Sequence, residues 1–208
     1  MLQEIFKKLA LKTTKDEALC DELWQEMVVA YTQPSRHYHT LSHLENLIAE
    51  LKLCRELIVD YDTVLYSVFY HDIMYDVRQQ DNEECSAITA MEKLQMLHVD
   101  KDKQELCKEQ ILATKTHATH SNADINLFTD ADLSILGKPG EVYRNYCKQV
   151  RQEYAIYPDN LYIPGRAKVL KHFLAMPRIY KTDFFYQHYE SQARKNIAQE
   201  LTLLQREE

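Results

Sequence analysis

The chain has 208 residues, 45% of them hydrophobic and 27% charged, the balance of a globular protein with one sizeable core, which excludes a disordered or collagenous chain. Its formal net charge is −7, with 14 basic and 24 acidic side chains in residues 1–138 and 11 and 8 in residues 139–208. Neither part offers a basic stripe, which argues against an extended nucleic acid and leaves a small phosphorylated molecule as a compatible partner.

With only Gly137, Gly140 and Gly165, the chain has few residues for glycine-rich phosphate loops or hairpin turns. Sustained period-2 alternation is absent as well, so an all-α fold is expected. Five cysteines without a C-x-x-C pair fit reduced thiols in a cytoplasmic protein. No apolar run approaches the ~20 residues of a membrane span, so no membrane partner is expected.

In chain order, "MLQEIFKKLALKTTKDEAL" reads as an amphipathic helix. The segment from about Lys15 to Tyr31 carries Leu19, Leu23, Met27 and Ala30 at helical intervals before Pro34. In "SHLENLIAELKLCRELI", Ser42 and Glu45 form a capping-box pattern that predicts a helix start at Ser42. Asp62 is the expected N-cap of a central helix, about Thr63 to Tyr75, apolar nearly all round.

That helix holds "SVFYHDIMYDV", with His71, Asp72 and Asp76 among apolar and aromatic neighbours. Burying an unpaired carboxylate costs several kcal/mol or shifts its pKa, so such a group needs a strong partner, and a metal ion is one. Consecutive helical residues point about 100° apart, so further ligands must come from other segments. "RHYHTLSHL" supplies His39 and His43, and "FTDADLSILG" supplies Asp130 and Asp132.

"RQQDNEE" reads as a loop leading into a helix from about Asn82 to Leu97, followed by one from about Lys101 to His117. Gly137 and Pro139 mark a stop and a new start. Residues 140–156 and 165–175 look helical, joined by "YPDNLYIPG" as a proline-bearing loop. The last helix, from about Asp183, places Phe185, Tyr189, Ala193, Ile197 and Leu201 at steps of four. No repeat or linker interrupts the chain, and a single domain over 1–208 is expected.

A His, a His-Asp pair and a distant Asp, in this order, resemble the HD-domain superfamily of metal-dependent phosphohydrolases. The likeness runs through "RHYHTLSHL", "FYHDIMYD", "DNEECSA", "DADLSILG", "YIPGR" and "ARKNIAQEL" to a bacterial group of HD-type phosphohydrolases of undefined substrate. It implies an HD-domain helical bundle, with a metal-binding core over about 34–137 and additional C-terminal helices over 139–206 packed on it. His43, His71, Asp72 and Asp132 would be the metal ligands, Asp132 being favoured over Asp130 because it follows Ala131 as an Ala-Asp pair.

Such a mixed nitrogen and oxygen set suits Mn, Fe, Co, Ni or Zn, with Mg less favoured. The implied activity is hydrolysis of a small phosphoester, nucleotides included, by attack of a metal-activated water. Asp72 and Glu83 are the candidate catalytic residues, Glu83 as general acid or base or, equally, as a helix-terminal charge. His39, His117, His120, Asp76 and Asp130 are candidates for a second metal or for supporting contacts, Asp130 equally for a cap. Arg36, Lys115 and Arg166 are candidate phosphate ligands. The alternatives are an HD-fold di-iron oxygenase and a non-catalytic, metal-containing ligand-binding protein.

Overall fold

The computed structural model describes residues 1–205, so residue 206, the expected end of the C-terminal helices, lies outside the described residues. The described residues form an all-helical structure without strands. The helices are α1 (Leu2–Ala10), α2 (Glu17–Tyr31), α3 (Leu41–Leu53), α4 (Tyr61–Tyr70), α5 (Asn82–Met96), α6 (Lys101–Ala113), α7 (Ala123–Asp132), α8 (Gly140–Glu153), α9 (Asp159–Ala175) and α10 (Asp183–Leu204). Single 3₁₀ turns occur at Arg55–Leu57 and Leu133–Gly137. The chain divides into two compact units, Met1–Thr129 and Asp130 onward, and the boundary falls inside α7.

In the first unit α4 is the centre, buried from Thr63 to Tyr70 and packed against α3, α5 and α6. Its apolar circumference is the reason: a helix without a polar face has to be surrounded. Phe69 meets Phe6 of α1 edge-to-face at 5.3 Å, and Tyr31 of α2 donates its hydroxyl to the Phe69 carbonyl at 3.0 Å.

Asp60 caps α4, accepting from the Thr63 amide at 3.1 Å and the Thr63 hydroxyl at 2.8 Å. The expected cap, Asp62, lies instead in the first turn and pairs with Lys12 at 2.6 Å. The helix also ends earlier than expected, at Tyr70 rather than Tyr75. Likewise α3 begins at Leu41 with Thr40 as its N-cap, which places Ser42 inside the first turn.

The stretch after α4 is held by α5. Asn82 accepts the Asp76 amide at 3.0 Å and donates to the Asp76 carbonyl at 3.0 Å, while the Ser86 hydroxyl bonds both the amide and the carbonyl of Met74. At the start of α7, Asp124 accepts the Val59 and Asp60 amides at 2.9 and 2.8 Å, tying α7 to the N-terminus of α4.

In the second unit, "YPDNLYIPG" is helical from Asp159, so Pro164 lies inside α9. A proline there removes one helical hydrogen bond. Burial of Tyr162 and Ile163 opposes that cost, each such side chain being worth roughly 1.5–3 kcal/mol. The connection before α10 is fixed by buried carboxylates: Glu190 accepts the Ile179 and Tyr180 amides, and Asp130 accepts the Lys181 and Thr182 amides.

Gly137 lies against the backbone of α10. A Cβ added there would stand 2.8 Å from the Tyr189 carbonyl oxygen and 2.9 Å from its Cα. Neither atom moves without shifting the helix, so overpacking applies. Gly137→Ala is expected to destabilise the protein by about 2 kcal/mol or more, read as a lower urea midpoint, whereas Gly165→Ala, where a Cβ meets nothing within 4 Å, should be neutral or stabilising.

Candidate metal centre

His71 is the first residue beyond α4, and its Nδ1 lies 3.0 Å from the Val68 carbonyl one turn back. A carbonyl only accepts, so Nδ1 carries a proton, and in the neutral ring the lone pair is on Nε2. That lone pair faces His43 Nε2 at 3.1 Å and Asp72 Oδ2 at 3.1 Å. His43 and His71 are both buried.

Around Asp72 the imidazoles close in further. Its Oδ2 lies 3.8 Å from His43 Nε2 and 4.0 Å from His39 Nε2. Burial pushes the Asp72 carboxyl up, but imidazolium charge on His71, His39 and His43, with a hydrogen bond from the protonated His71 ring, outweighs it and holds the group below the usual carboxylate range. Asp72 therefore stays ionised, and imidazole lone pairs directed at an ionised carboxylate repel it unless a cation lies between them. A proton on a ring supplies one such cation and a metal ion another.

Asp132 completes the set from the end of α7. Phe128, one turn earlier, meets the His71 ring edge-on with centroids 5.8 Å apart, and residues four apart share a helix face. One carboxylate oxygen of Asp132 and one nitrogen each from His43 and His71 lie within 4.8 Å of one another. Ligands at ~2.1 Å from a single ion stand up to ~4.2 Å apart, so the three atoms approach the span that one ion requires. His43, His71 and Asp132 are a possible metal-binding triad, with Asp72 Oδ2 beside its two nitrogens.

The ending of α4 makes this arrangement available. Had the helix run on to Tyr75, His71 and Asp72 would have pointed about 100° apart. Leaving the helix, the chain turns Asp72 back toward His71, and Arg36 holds the turn. The Arg36 guanidinium is buried between the Tyr31 and Tyr75 rings at 4.9 and 5.3 Å. It donates to the carbonyls of His39 at 3.2 Å, Asp72 at 2.7 Å and Ile73 at 3.0 Å.

The structure thus gives Arg36 backbone partners in place of the expected phosphate. Lys115 is likewise engaged, with the Gln80 carbonyl at 2.8 Å and Glu84 at 2.5 Å. Arg166 forms a two-point pair with Glu200 at 2.8 and 3.1 Å.

Among the supporting candidates, His39 has its Nε2 4.0 Å from Asp72 Oδ2. Asp76 bonds Arg78 at 2.6 Å, which holds its carboxyl down at about 2. Asp130 is fully buried against Lys181 at 2.9 Å and the Thr182 hydroxyl at 2.7 Å, so its role is structural. His120 accepts the Asn122 amide at 3.0 Å in the exposed loop before α7. His117 follows α6, which ends at Ala113 rather than His117, and has a left-handed φ of 50°. Glu83 sits half-buried in the first turn of α5.

Sequence reasoning missed the Val68 carbonyl, the Arg36 clamp and the Phe128 contact. The first is a backbone atom without a sequence signature. Phe128 alone was accessible, lying four residues before Asp132.

Comparison with protein-family models, curated proteins and solved structures returned no match. The case for a site therefore rests on these side chains.

Arg36→Ala removes three donors to buried or half-buried carbonyls and is expected to cost about 2–4 kcal/mol in urea unfolding. Arg36→Lys keeps the charge without the planar fork and should recover less than half of that loss.

Proposed function

We propose that the chain is a metal-dependent phosphohydrolase of the HD type, acting on a small phosphoester. The observation that supports this reading is the clustering of ligand atoms of His43, His71 and Asp132 within 4.8 Å of one another, with Asp72 Oδ2 3.1 Å from His71 Nε2. In the proposed site these four residues hold a divalent ion of the Mn, Fe, Co, Ni or Zn type, favoured by the two imidazole nitrogens over Mg. When bound, such an ion supplies Lewis acidity to a phosphoryl oxygen and acidifies water.

The remaining steps fall to the chain's own groups. Val68 fixes the proton on His71 Nδ1, keeping Nε2 available in the neutral ring. Asp72, ionised, balances positive charge at the centre and accepts a proton-bearing donor in its vicinity. His39, at the half-exposed edge against the Tyr75 ring, is the imidazole placed to exchange a proton with solvent. We assign it protonation of the departing ester oxygen as the P–O bond breaks and the water oxygen bonds phosphorus, the proton released by that water returning to the imidazole. Glu83 is the other candidate for that transfer.

Elemental analysis of protein purified without added metal should find about one first-row transition ion per chain. After chelation and re-addition of Mn or Co, a panel of phosphoesters that includes nucleotides should show release of phosphate. Asp72→Ala should reduce turnover by more than about 100-fold with helix content unchanged. A metal-loaded protein that releases no product across the panel would sink the proposal. Two irons per chain with O₂ consumption would replace it by the oxygenase alternative, and loss of folding without any activity to lose would indicate a structural ion.

A further inference from the structure

The second unit contains a cavity of about 730 Å³ between α8, α9 and α10. None of the proposed metal ligands lines it. Its size falls within the roughly 300–1,000 Å³ of small-molecule sites, and its walls combine apolar surface with a few charged groups whose partners can be followed one by one.

The apolar part comes from Ile163, Leu203, Leu204 and the ring of Tyr162. The acid on the wall is already neutralised: Glu200 takes the two-point pair from Arg166, and Tyr143 donates its hydroxyl to the same carboxylate. Desolvation by burial would push the Tyr143 hydroxyl up on its own, and the Glu200 charge beside it acts in the same direction, so the phenol stays protonated as a donor. Arg151 is also engaged, bonding Asp159 at 2.7 Å and the Tyr154 and Tyr157 carbonyls, with its guanidinium over Tyr162 at 4.6 Å.

Two cations remain. Arg144 and Lys148 are exposed, lie four residues apart on one face of α8 and line the same cavity. Among the described residues neither forms an ion pair or side-chain hydrogen bond. The cavity therefore presents two uncompensated positive charges beside an apolar and aromatic wall.

We propose that this cavity binds a small organic anion, its apolar or aromatic body against Tyr162, Ile163 and Leu203 and its phosphate, sulfonate or carboxylate head on Arg144 and Lys148. Apolar burial alone would accept neutral molecules, and the two cations select for the anion. Charge-assisted hydrogen bonds from an Arg fork and a Lys ammonium are the stronger class of such contacts. The site is independent of the metal centre, so its occupancy needs neither an ion nor turnover.

The test uses the full chain with two fluorescent probes of similar shape, 8-anilinonaphthalene-1-sulfonate, which is anionic, and N-phenyl-1-naphthylamine, which is neutral. The sulfonate should bind saturably at one site per chain. It should be displaced by phenyl phosphate or octanoate and not by inorganic phosphate at equal concentration; which of the two competes better separates a phosphate ester from a carboxylate as the natural ligand class.

Arg144→Ala combined with Lys148→Ala should weaken the sulfonate by about tenfold or more while leaving the neutral probe within about twofold. Leu203→Trp, at an exposed wall position, narrows the cavity and should weaken both probes. Non-saturable sulfonate binding, an unchanged affinity in the double variant, or an equal loss for both probes in that variant would each overturn the proposal. So would unchanged binding of both probes in Leu203→Trp.

Discussion

The bond between His71 Nδ1 and the Val68 carbonyl decides what the rest of the centre can do. A helix leaves its last carbonyls without intrahelical partners, and here one of them is answered by the side chain of the residue that follows the helix. The bond fixes one ring nitrogen as a donor and so leaves the other with a lone pair. Everything around Nε2 then has to be compatible with that lone pair. The ionised carboxylate at 3.1 Å calls for a proton on the ring or another cation beside that nitrogen, while the buried second imidazole at 3.1 Å can instead donate its own Nε2 proton.

The same requirement explains why a cation as costly to bury as Arg36 lies inside the first unit. A chain that leaves a helix in the core exposes carbonyls that no ladder satisfies. Arg36 supplies donors to three of them, at His39, Asp72 and Ile73, and these belong to the two segments that carry the imidazoles and the carboxylate. Its positive charge faces backbone carbonyl dipoles and the Tyr31 and Tyr75 rings rather than an acid. The clamp is therefore electrostatic and positional at once, fixing the direction of Asp72 without neutralising it.

Several of these features were legible in the sequence, and the remainder had definite reasons to be hidden. Three glycines and the helical spacing of apolar residues predicted an all-α chain, and the described structure has that character. The resemblance to HD-domain proteins implied His43, His71 and Asp132 as ligands beside Asp72, and ligand atoms of these three do lie together. The end of α4 was not readable, because Ile73 and Tyr75 continue an apolar run past Tyr70 and no glycine or proline marks the stop. The reverse error occurred at α9, where Pro164 suggested a loop although the helix runs through it. Asp60 and Asp62 are equivalent as caps on paper; only the three-dimensional position of Lys12 distinguishes them.

The carboxylates of α7 show most plainly how partners, rather than residue type, assign a role. Asp124, Asp130 and Asp132 occupy one helix. Asp124 is occupied by two amides at the start of α4, and Asp130 by Lys181 and the Thr182 amide and hydroxyl. Each of these bonds satisfies a carboxylate oxygen with an ordinary protein donor, so neither acid needs anything from outside the chain. Asp72 differs because its near neighbours are imidazoles, one of which has its only neutral-state proton committed elsewhere. Asp132 shares that neighbourhood through His43 and His71. Asp72 is thus set apart from Asp124 and Asp130 by imidazole neighbours, whose ring nitrogens can present a proton or a lone pair to it.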